Sequence, residues 1–371
     1  MVINRRQFLT LSSGLASGML LFDPSSIIYA SSNTHTILGC RSDRDGKHFF
    51  SLIDQNTETE INILLPQRGH GICATTDGHY AAVFARRPGD FVWVIDLNTQ
   101  QVSHKISTIS QRHFYGHGVF TSDGSTLLCS ENAYETGRGV IGVYDVHNNF
   151  TRLGEFESYG IGPHEIKLLS DDETLIVANG GIQTHPDTPR VKLNLETMRA
   201  NLAYIDITSG RLLHKHELDS ELHQLSIRHI DISSNDIVAI AMQFLGDPYL
   251  YPPLIAIQQG EQPIKALTAP GDIQNRLRNY CGSVAFSKNS KIFVVSSPRG
   301  GLATYWSVNG DYLGLHNQVD ACGVSHSTNN EAEFLVSDGA GEILQVSNDY
   351  TSTAYYQSSQ WRWDNHLLTL S

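Results

Sequence analysis

Gly69-His70-Gly71-Ile72, Gly116-His117-Gly118-Val119 and Pro163-His164-Glu165-Ile166 are three versions of one phrase, and the steps His70 to His117 and His117 to His164 are both 47 residues. Each opens a short apolar run that ends in a turn, at Asp77-Gly78, Asp123-Gly124 and Asp171-Asp172. The phrase returns as Arg228-His229-Ile230 before Asn235-Asp236. It returns with cysteine as Tyr280-Cys281-Gly282 before Lys288-Asn289 and as Ala321-Cys322-Gly323 before Asn329-Asn330. Within each copy, apolar runs such as 80–85, 91–97 and 102–106 alternate with turn residues, the pattern of consecutive antiparallel strands. A period of about 40–50 residues with four short strands per unit predicts the blades of a propeller.

Residues 34–40 read as a second strand with no opening strand before it. The missing strand stands at the other end: Trp363-Asp364-Asn365-His366-Leu367-Leu368-Thr369-Leu370 places another histidine ahead of apolar residues. Pairing that segment with the first blade closes a ring and removes two free sheet edges. The expected fold is all-β, a seven-bladed β-propeller closed by a C-terminal strand that completes the first blade. It forms a single domain over residues 31–371. Helical pattern is confined to residues 195–202.

Residues 1–30 are set apart from this pattern. Asn4-Arg5-Arg6-Gln7-Phe8-Leu9-Thr10 precedes a modestly apolar stretch and then Ile28-Tyr29-Ala30, the order of a twin-arginine export signal cleaved after Ala30. The apolar stretch falls short of the ~20 residues that span a bilayer, and no other segment reaches that length. The expected destination is the periplasm or the cell exterior. Without its leader the chain has 24 basic and 37 acidic residues, a formal charge of −13. Nucleic acid is thereby excluded as a partner, because phosphate neutralisation needs clustered Lys and Arg. Cys40, Cys73, Cys129, Cys281 and Cys322 form no Cys-x-x-Cys, so neither a zinc ribbon nor an attached c-type haem is expected. In a monomer, the expected state, at least one of the five stays unpaired.

The inner strand of a propeller blade lines the central channel, and equivalent positions stand at one level around the axis. The repeat phase puts His366, His70, His117, His164, His229, Cys281 and Cys322 there. A single histidine at a strand start has an ordinary use in bonding the next blade. Five at one phase make a transition-metal site of neutral imidazoles. The two cysteines could add soft ligands, pair as a disulfide, or act as compact buried hydrophobes. The step from His164 to His229 is 65 residues, and the excess, Gly180-Gly181-Ile182-Gln183-Thr184-His185-Pro186-Asp187 through Met198, is expected to cover the channel mouth. His185 is either an exposed loop residue or a further ligand. Second-strand ends bring Arg86, Arg87, Glu131, Asn132, Asn179, Gln243, Arg299 and Asp338 to the same face, to orient ligands, hold an anionic co-ligand or bridge blades. His326 is expected deeper in the channel. His113, His147, His214, His216, His223 and His316 are expected at the surface.

Several of these phrases resemble the secreted propellers of domain-of-unknown-function family 1513. They are the Arg5-Arg6 leader, Arg68-Gly69-His70-Gly71 with Phe84-Ala85-Arg86-Arg87-Pro88-Gly89, Gly162-Pro163-His164-Glu165, Ala178-Asn179-Gly180-Gly181-Ile182 and Trp363-Asp364-Asn365-His366. The resemblance implies a place beside imelysin-type and other periplasmic iron-uptake components, with metal-uptake proteins as partners. A more distant similarity is to the propeller of nitrous-oxide reductase, which holds copper on channel-mouth histidines; cysteine at two ring positions departs from it. The expected function is a periplasmic propeller that binds iron or copper through His70, His117, His164, His229 and His366, an accessory to iron acquisition with no reaction assigned. The alternatives are a lactonase-like hydrolase or metal-dependent oxidoreductase with Glu131 or Glu165 as general base, a haem protein with one ring histidine as axial ligand, and an interaction scaffold without metal. Neither Gly-x-Ser-x-Gly nor His-Glu-x-x-His occurs.

Overall fold

The computed structural model describes residues 36–189, 191–328 and 330–370. The leader and its cleavage site lie outside the described residues. Seven four-stranded antiparallel sheets stand in a ring, and six of them are contiguous in sequence. The first blade is made from both ends of the chain: Trp361–Thr369 pairs with Thr36–Asp43, followed outward by His48–Asp54 and Thr59–Leu65. The other inner strands are Gly69–Ala74, His113–Phe120, Pro163–Leu168, Leu225–Ile232, Ser283–Phe286 and Ala321–His326. The expected seven-bladed propeller and its closure are therefore what the chain forms.

Burial follows position in the blade. Second strands such as Tyr80–Ala85 and Thr174–Asn179 are packed on both faces and read as continuous apolar runs. Outer strands are more exposed: Gln101–Ser107 alternates between exposed and covered positions, and Arg211–Glu217 is mostly exposed. The core lies between neighbouring sheets, as where Ile176 and Leu202, Ile240 and Ile255, and Val295 and Trp306 from three successive blades share one apolar cluster. At the closure, Arg41 is buried, bonded to Asn62 Oδ1 at 2.6 Å and Tyr356 Oη at 2.8 Å, and paired with Glu60. Its guanidinium lies 4.0 Å from the Trp361 ring and 4.9 Å from that of Trp363, so it binds the last strand to the first blade.

The turns between inner and second strands also join the blades. Gly78 and Gly124 take the left-handed conformation there, and Asp172 and Asp236 take the same place with φ of 54° and 59°. Aspartate tolerates that region, and its carboxylate gives the turn a further use. Asp172 accepts the Ser122 N–H at 3.0 Å and its hydroxyl at 2.6 Å; Asp236 does the same for Ser170 at 3.0 and 2.7 Å. Residues 195–202 are not helical. Asn194 bonds the Gly181 carbonyl and the Gln183 N–H, pinning the insertion as a loop that runs into the strand Asn201–Asp206. A helix of two turns has too little cooperativity to compete with that anchoring. The one α-helix among the described residues is Gly271–Arg276, and none is long and apolar enough to cross a membrane.

Candidate metal centre

Each of the five histidines sits at a break in strand register. In the second blade, Gly69 opposes Ala85 and Ile72 opposes Val83, so His70 lies in a β-bulge. Matching irregularities fall between Phe114 and Gly118, between Pro163 and Ile166, between Ile227 and His229, and where Thr36–Asp43 meets Trp361–Thr369 around His366. A bulge inserts an unpaired residue and turns a side chain out of the pleat. Four of the imidazoles belong to residues inside the irregular stretch; His229 flanks its own, pairing with Ala241, and Arg228 is the extra residue there.

The result is a pentagon folded in on itself: His117 and His366, across it, are 4.8 Å apart, as close as neighbours, and the diagonals His70–His164, His117–His229 and His70–His229 are 5.4, 5.7 and 6.3 Å. Successive ring centroids around His366, His70, His117, His164, His229 and back to His366 are 4.7, 4.9, 4.7, 4.8 and 4.7 Å apart. All five residues are between 2 and 8 % exposed. Two triads, His70/His117/His366 and His117/His164/His229, each have ligand atoms within 4.8 Å of one another, and His117 belongs to both. The Gly-His-Gly phrase explains the closeness. A Cβ on Gly71 would lie 2.7 Å from His117 Nδ1, and one on Gly116 would lie 2.7 Å from His70 Cδ2. Each glycine makes room for the imidazole of the neighbouring blade.

Two carboxylates support the ring. Glu165 Oε2 is 3.3 Å from His229 Nδ1 and also accepts the Ile230 N–H at 3.1 Å, while its Oε1 is 3.8 Å from His117 Nδ1. Asp364 Oδ1 is 3.7 Å from His70 Nδ1, and its other oxygen pairs with Arg68. The Glu165–His229 contact is within hydrogen-bonding distance and favours the Nδ1–H tautomer of His229, the usual support for a histidine that binds metal, whereas His70 Nδ1 is buried without a hydrogen-bond partner among the described residues. Burial lowers the pKa of all five imidazoles, and their neighbours His70, His117, His229 and Arg228 act in the same sense. They are therefore neutral near pH 7, the form that donates a lone pair. Burial works against the Asp364 carboxylate, but His70 and Arg68 outweigh it and hold its pKa well below the ordinary range. Glu165 is pushed up by burial. His117 Nε2, His164 Nδ1 and His366 Nε2 are buried without a hydrogen-bond partner among the described residues. Such atoms are rare in folded proteins, because a desolvated polar group left unpaired costs about 1–3 kcal/mol. Five neutral nitrogen donors with unpaired atoms in their midst fit a transition-metal ion of borderline softness.

The pentagon is a septum rather than a single level. His70, His164 and His229 line a cavity of about 530 Å³ at the channel mouth, with Arg86, Arg87, Lys192, Arg228, Arg299, Tyr115 and Tyr280 among its walls. His117 and His366 line a smaller space of about 150 Å³ on the other side, with Glu165, Lys167, Asp231 and His326. His326 is thus in the deeper channel, where the repeat phase put it. The insertion contributes Ile182, Pro189 and Lys192 to the mouth cavity.

Several expected members are elsewhere. Cys281 and Cys322 are unpaired and outside both triads. Cys281 precedes a strand that has no bulge and packs into the apolar core; the Cys322 thiol turns to Asp320 Oδ1 at 3.7 Å. Glu131 is buried away from the channel mouth, accepting from Tyr144 Oη at 2.7 Å and pairing with Arg152 at 2.8 Å, which ties second and outer strands together. Asn179 bonds the Ser158 carbonyl and Asn201 side chain, and Asp338 caps the turn at Ala340–Glu342. His185 sits on Tyr134 at 5.2 Å beside Glu135 and Asp187, outside the pentagon. His113 is buried, not superficial. Its Nδ1 meets the Phe114 carbonyl, its Nε2 takes an N–H from Asn132, and burial pushes its pKa down to about 4. Arg86, Arg87, Gln243 and Arg299 do reach the mouth. Sequence reasoning passed over Asp364, Arg228, Lys192 and Tyr280 as site residues; the first two stand beside or near histidines in the quoted phrases.

Fold and site together define a seven-bladed propeller with an imidazole pentad across its channel. The chain belongs to the family described as Protein of unknown function (DUF1513), which matches residues 63–370. Among solved structures it is similar to Kuenenia stuttgartiensis hydrazine synthase, with 14% identity and a TM-score of 0.61, over 86% of this chain and 95% of that one. At that identity the likeness is one of fold. No curated protein matches.

Proposed function

We infer that this chain is an exported propeller that binds a transition-metal ion, iron or copper, in its channel as an accessory to periplasmic metal uptake. The observation that carries the reading is the pentagon of buried, neutral imidazoles with unpartnered nitrogens. His70, His117, His164, His229 and His366 would hold the ion, and Asp364 and Glu165 would orient them. The exclusion of both cysteines from the ring removes thiolate, the ligand that would favour softer ions. A bound ion there supplies Lewis-acid or redox character toward a group entering from the mouth. Glu165 sets the tautomer of His229, and burial keeps the nitrogens of all five dry. A hydrolase reading loses Glu131, which is committed to Arg152 and Tyr144. A haem reading has little room, since each imidazole lies within 6.3 Å, centroid to centroid, of at least three others.

Elemental analysis and an absorption spectrum of the protein exported by its native host test the reading. About one equivalent of iron or copper is expected, lost in a His70→Ala/His117→Ala/His164→Ala variant that retains the wild-type circular dichroism. A metal-free native protein that also fails to take up Fe(II), Fe(III) or Cu(II) in vitro overturns it and leaves the scaffold reading.

A further inference from the structure

The chain is acidic, yet the cavity above the histidines is lined by five cations, Arg86, Arg87, Lys192, Arg228 and Arg299, and by no aspartate or glutamate. Among the described residues, Arg87, Lys192, Arg228 and Arg299 form no ion pair. Arg87 instead lies over the Tyr115 ring at 5.8 Å and Arg299 over the Tyr280 ring at 4.5 Å. Arg87 has a terminal nitrogen, and Arg228 its Nε, buried without a hydrogen-bond partner, and below them His164 Nδ1, on a residue only 3 % exposed, is likewise unpartnered. Clustering the guanidinium groups of Arg87, Arg228 and Arg299 without counter-charges is unfavourable, and the desolvation of Arg228 beside Arg87 makes it more so. Natural folds tolerate such a cluster where an anion supplies the missing charge, and the planar fork of arginine suits carboxylate and phosphate oxygens.

Volume and wall chemistry narrow the class. About 530 Å³ falls within the roughly 300–1,000 Å³ of small-molecule sites, so a lone inorganic oxyanion would leave most of it to water. Tyr115, Tyr280, Ile182 and Leu245 give it apolar surface for a carbon skeleton. We propose that the channel mouth is a binding site for a small organic polycarboxylate, held by Arg87, Arg228, Arg299 and Lys192 directly above the imidazole pentagon. The site stands on the cavity alone and does not require the metal.

Calorimetric titration of the full exported chain with citrate, propane-1,2,3-tricarboxylate and inorganic phosphate tests this, on protein as isolated and after chelator treatment. Both tricarboxylates are expected to bind the chelator-treated protein, and binding should weaken as salt screens the cluster. Arg87→Ala/Arg299→Ala should weaken it at least tenfold. Lys192→Glu, an exposed change on the insertion that leaves the core untouched, should weaken it several-fold. His117→Ala/His366→Ala should leave it intact, because those imidazoles face the opposite space; that variant separates this site from the metal reading, which it abolishes. Three results overturn the proposal: no tricarboxylate binding to either form, binding unchanged by both the arginine and Lys192 variants, or phosphate binding as tightly as the tricarboxylates. Tricarboxylate binding only to metal-loaded protein does so too, and assigns the anion to the ion instead.

Discussion

Replacing Gly71 with alanine tests the geometry of the pentagon with one methyl group. The new Cβ would stand 2.7 Å from His117 Nδ1 and nearer still to the Gly116 carbonyl oxygen, distances that folded chains do not sustain. Gly71 is outside the positive-φ residues, so the cost is contact and not backbone strain. Relief requires the inner strands Gly69–Ala74 and His113–Phe120 to part by several tenths of an ångström. Overpacking of this kind costs about 1–3 kcal/mol. With an unfolding entropy of about 2.1 cal/mol/K per residue over a domain of this length, the melting temperature falls by about 1–2 °C per kcal/mol, or roughly 2–4 °C in all. His117 is the member shared by both triads, so its displacement should weaken metal binding about tenfold or more. Scanning calorimetry of chelator-treated protein measures the first effect, and competition against a chromophoric chelator measures the second. Gly271→Ala, which meets nothing within 4 Å, is the matched control. A Gly71→Ala protein with wild-type melting temperature and wild-type metal affinity would refute the close crossing of these strands and the role of His117.

Asp364→Asn removes the charge beside His70 while keeping the shape; metal affinity should drop about 10- to 100-fold by competition titration, with the fold intact by circular dichroism. His113 has a folded pKa pushed down to about 4 from an ordinary 6.5, so the unfolded chain binds the proton first as pH falls. Its effect is nil above pH 6.5; between pH 6.5 and 4 it removes stability, roughly 3 kcal/mol in all, and urea unfolding of His113→Gln should show a flatter profile in that window than wild type. Arg41→Met takes the buried counter-charge from Glu60, a donor from Asn62, and the cation from Trp361 and Trp363; a loss of about 2–4 kcal/mol is expected in chemical denaturation, because the closing strand loses its anchor.

Blade count, closure and the five clustered histidines were legible in the repeat because five copies of the phrase carry a histidine at one fixed phase. The bulges were not legible. An alternating pattern assigns a side chain to a face by parity, and a bulge of one or two residues breaks that parity without changing the residues around it. This is why Cys281 was misplaced: its blade repeats the phrase but its inner strand, Ser283–Phe286, pairs regularly with Ile292–Ser297. A bulge is not sufficient by itself, because Cys322 lies in one between Ala321 and Val324 and its thiol still turns to Asp320. Glu131 and Asn179 failed for a related reason. They end second strands at the expected height, but side-chain direction depends on which neighbour offers a charge or an amide. Arg152 and Asn201 do so from strands farther out. His113 went unrecognised because the inner strand His113–Phe120 begins four residues ahead of His117 and carries the earlier histidine into the interior.

The distribution of charge along the axis follows from the same construction. Inner-strand phase supplies neutral imidazoles, which carry no charge of their own to the middle of the channel. The charged residues that second-strand ends, the Arg228 bulge and the insertion bring to the mouth are all cations, whereas the residues just past the histidines, Glu165, Lys167 and Asp231, put two carboxylates and one amine on the far side. The chain is acidic overall, so the positive mouth is a local feature maintained against the field of the whole molecule. A scaffold for protein contacts needs no such arrangement, since its surface can be built from exposed residues on any blade. Burying uncharged donors between a cationic cavity and a carboxylate-bearing one costs stability on both sides, and that cost is explicable where a cation occupies the donors and an anion approaches them from the mouth.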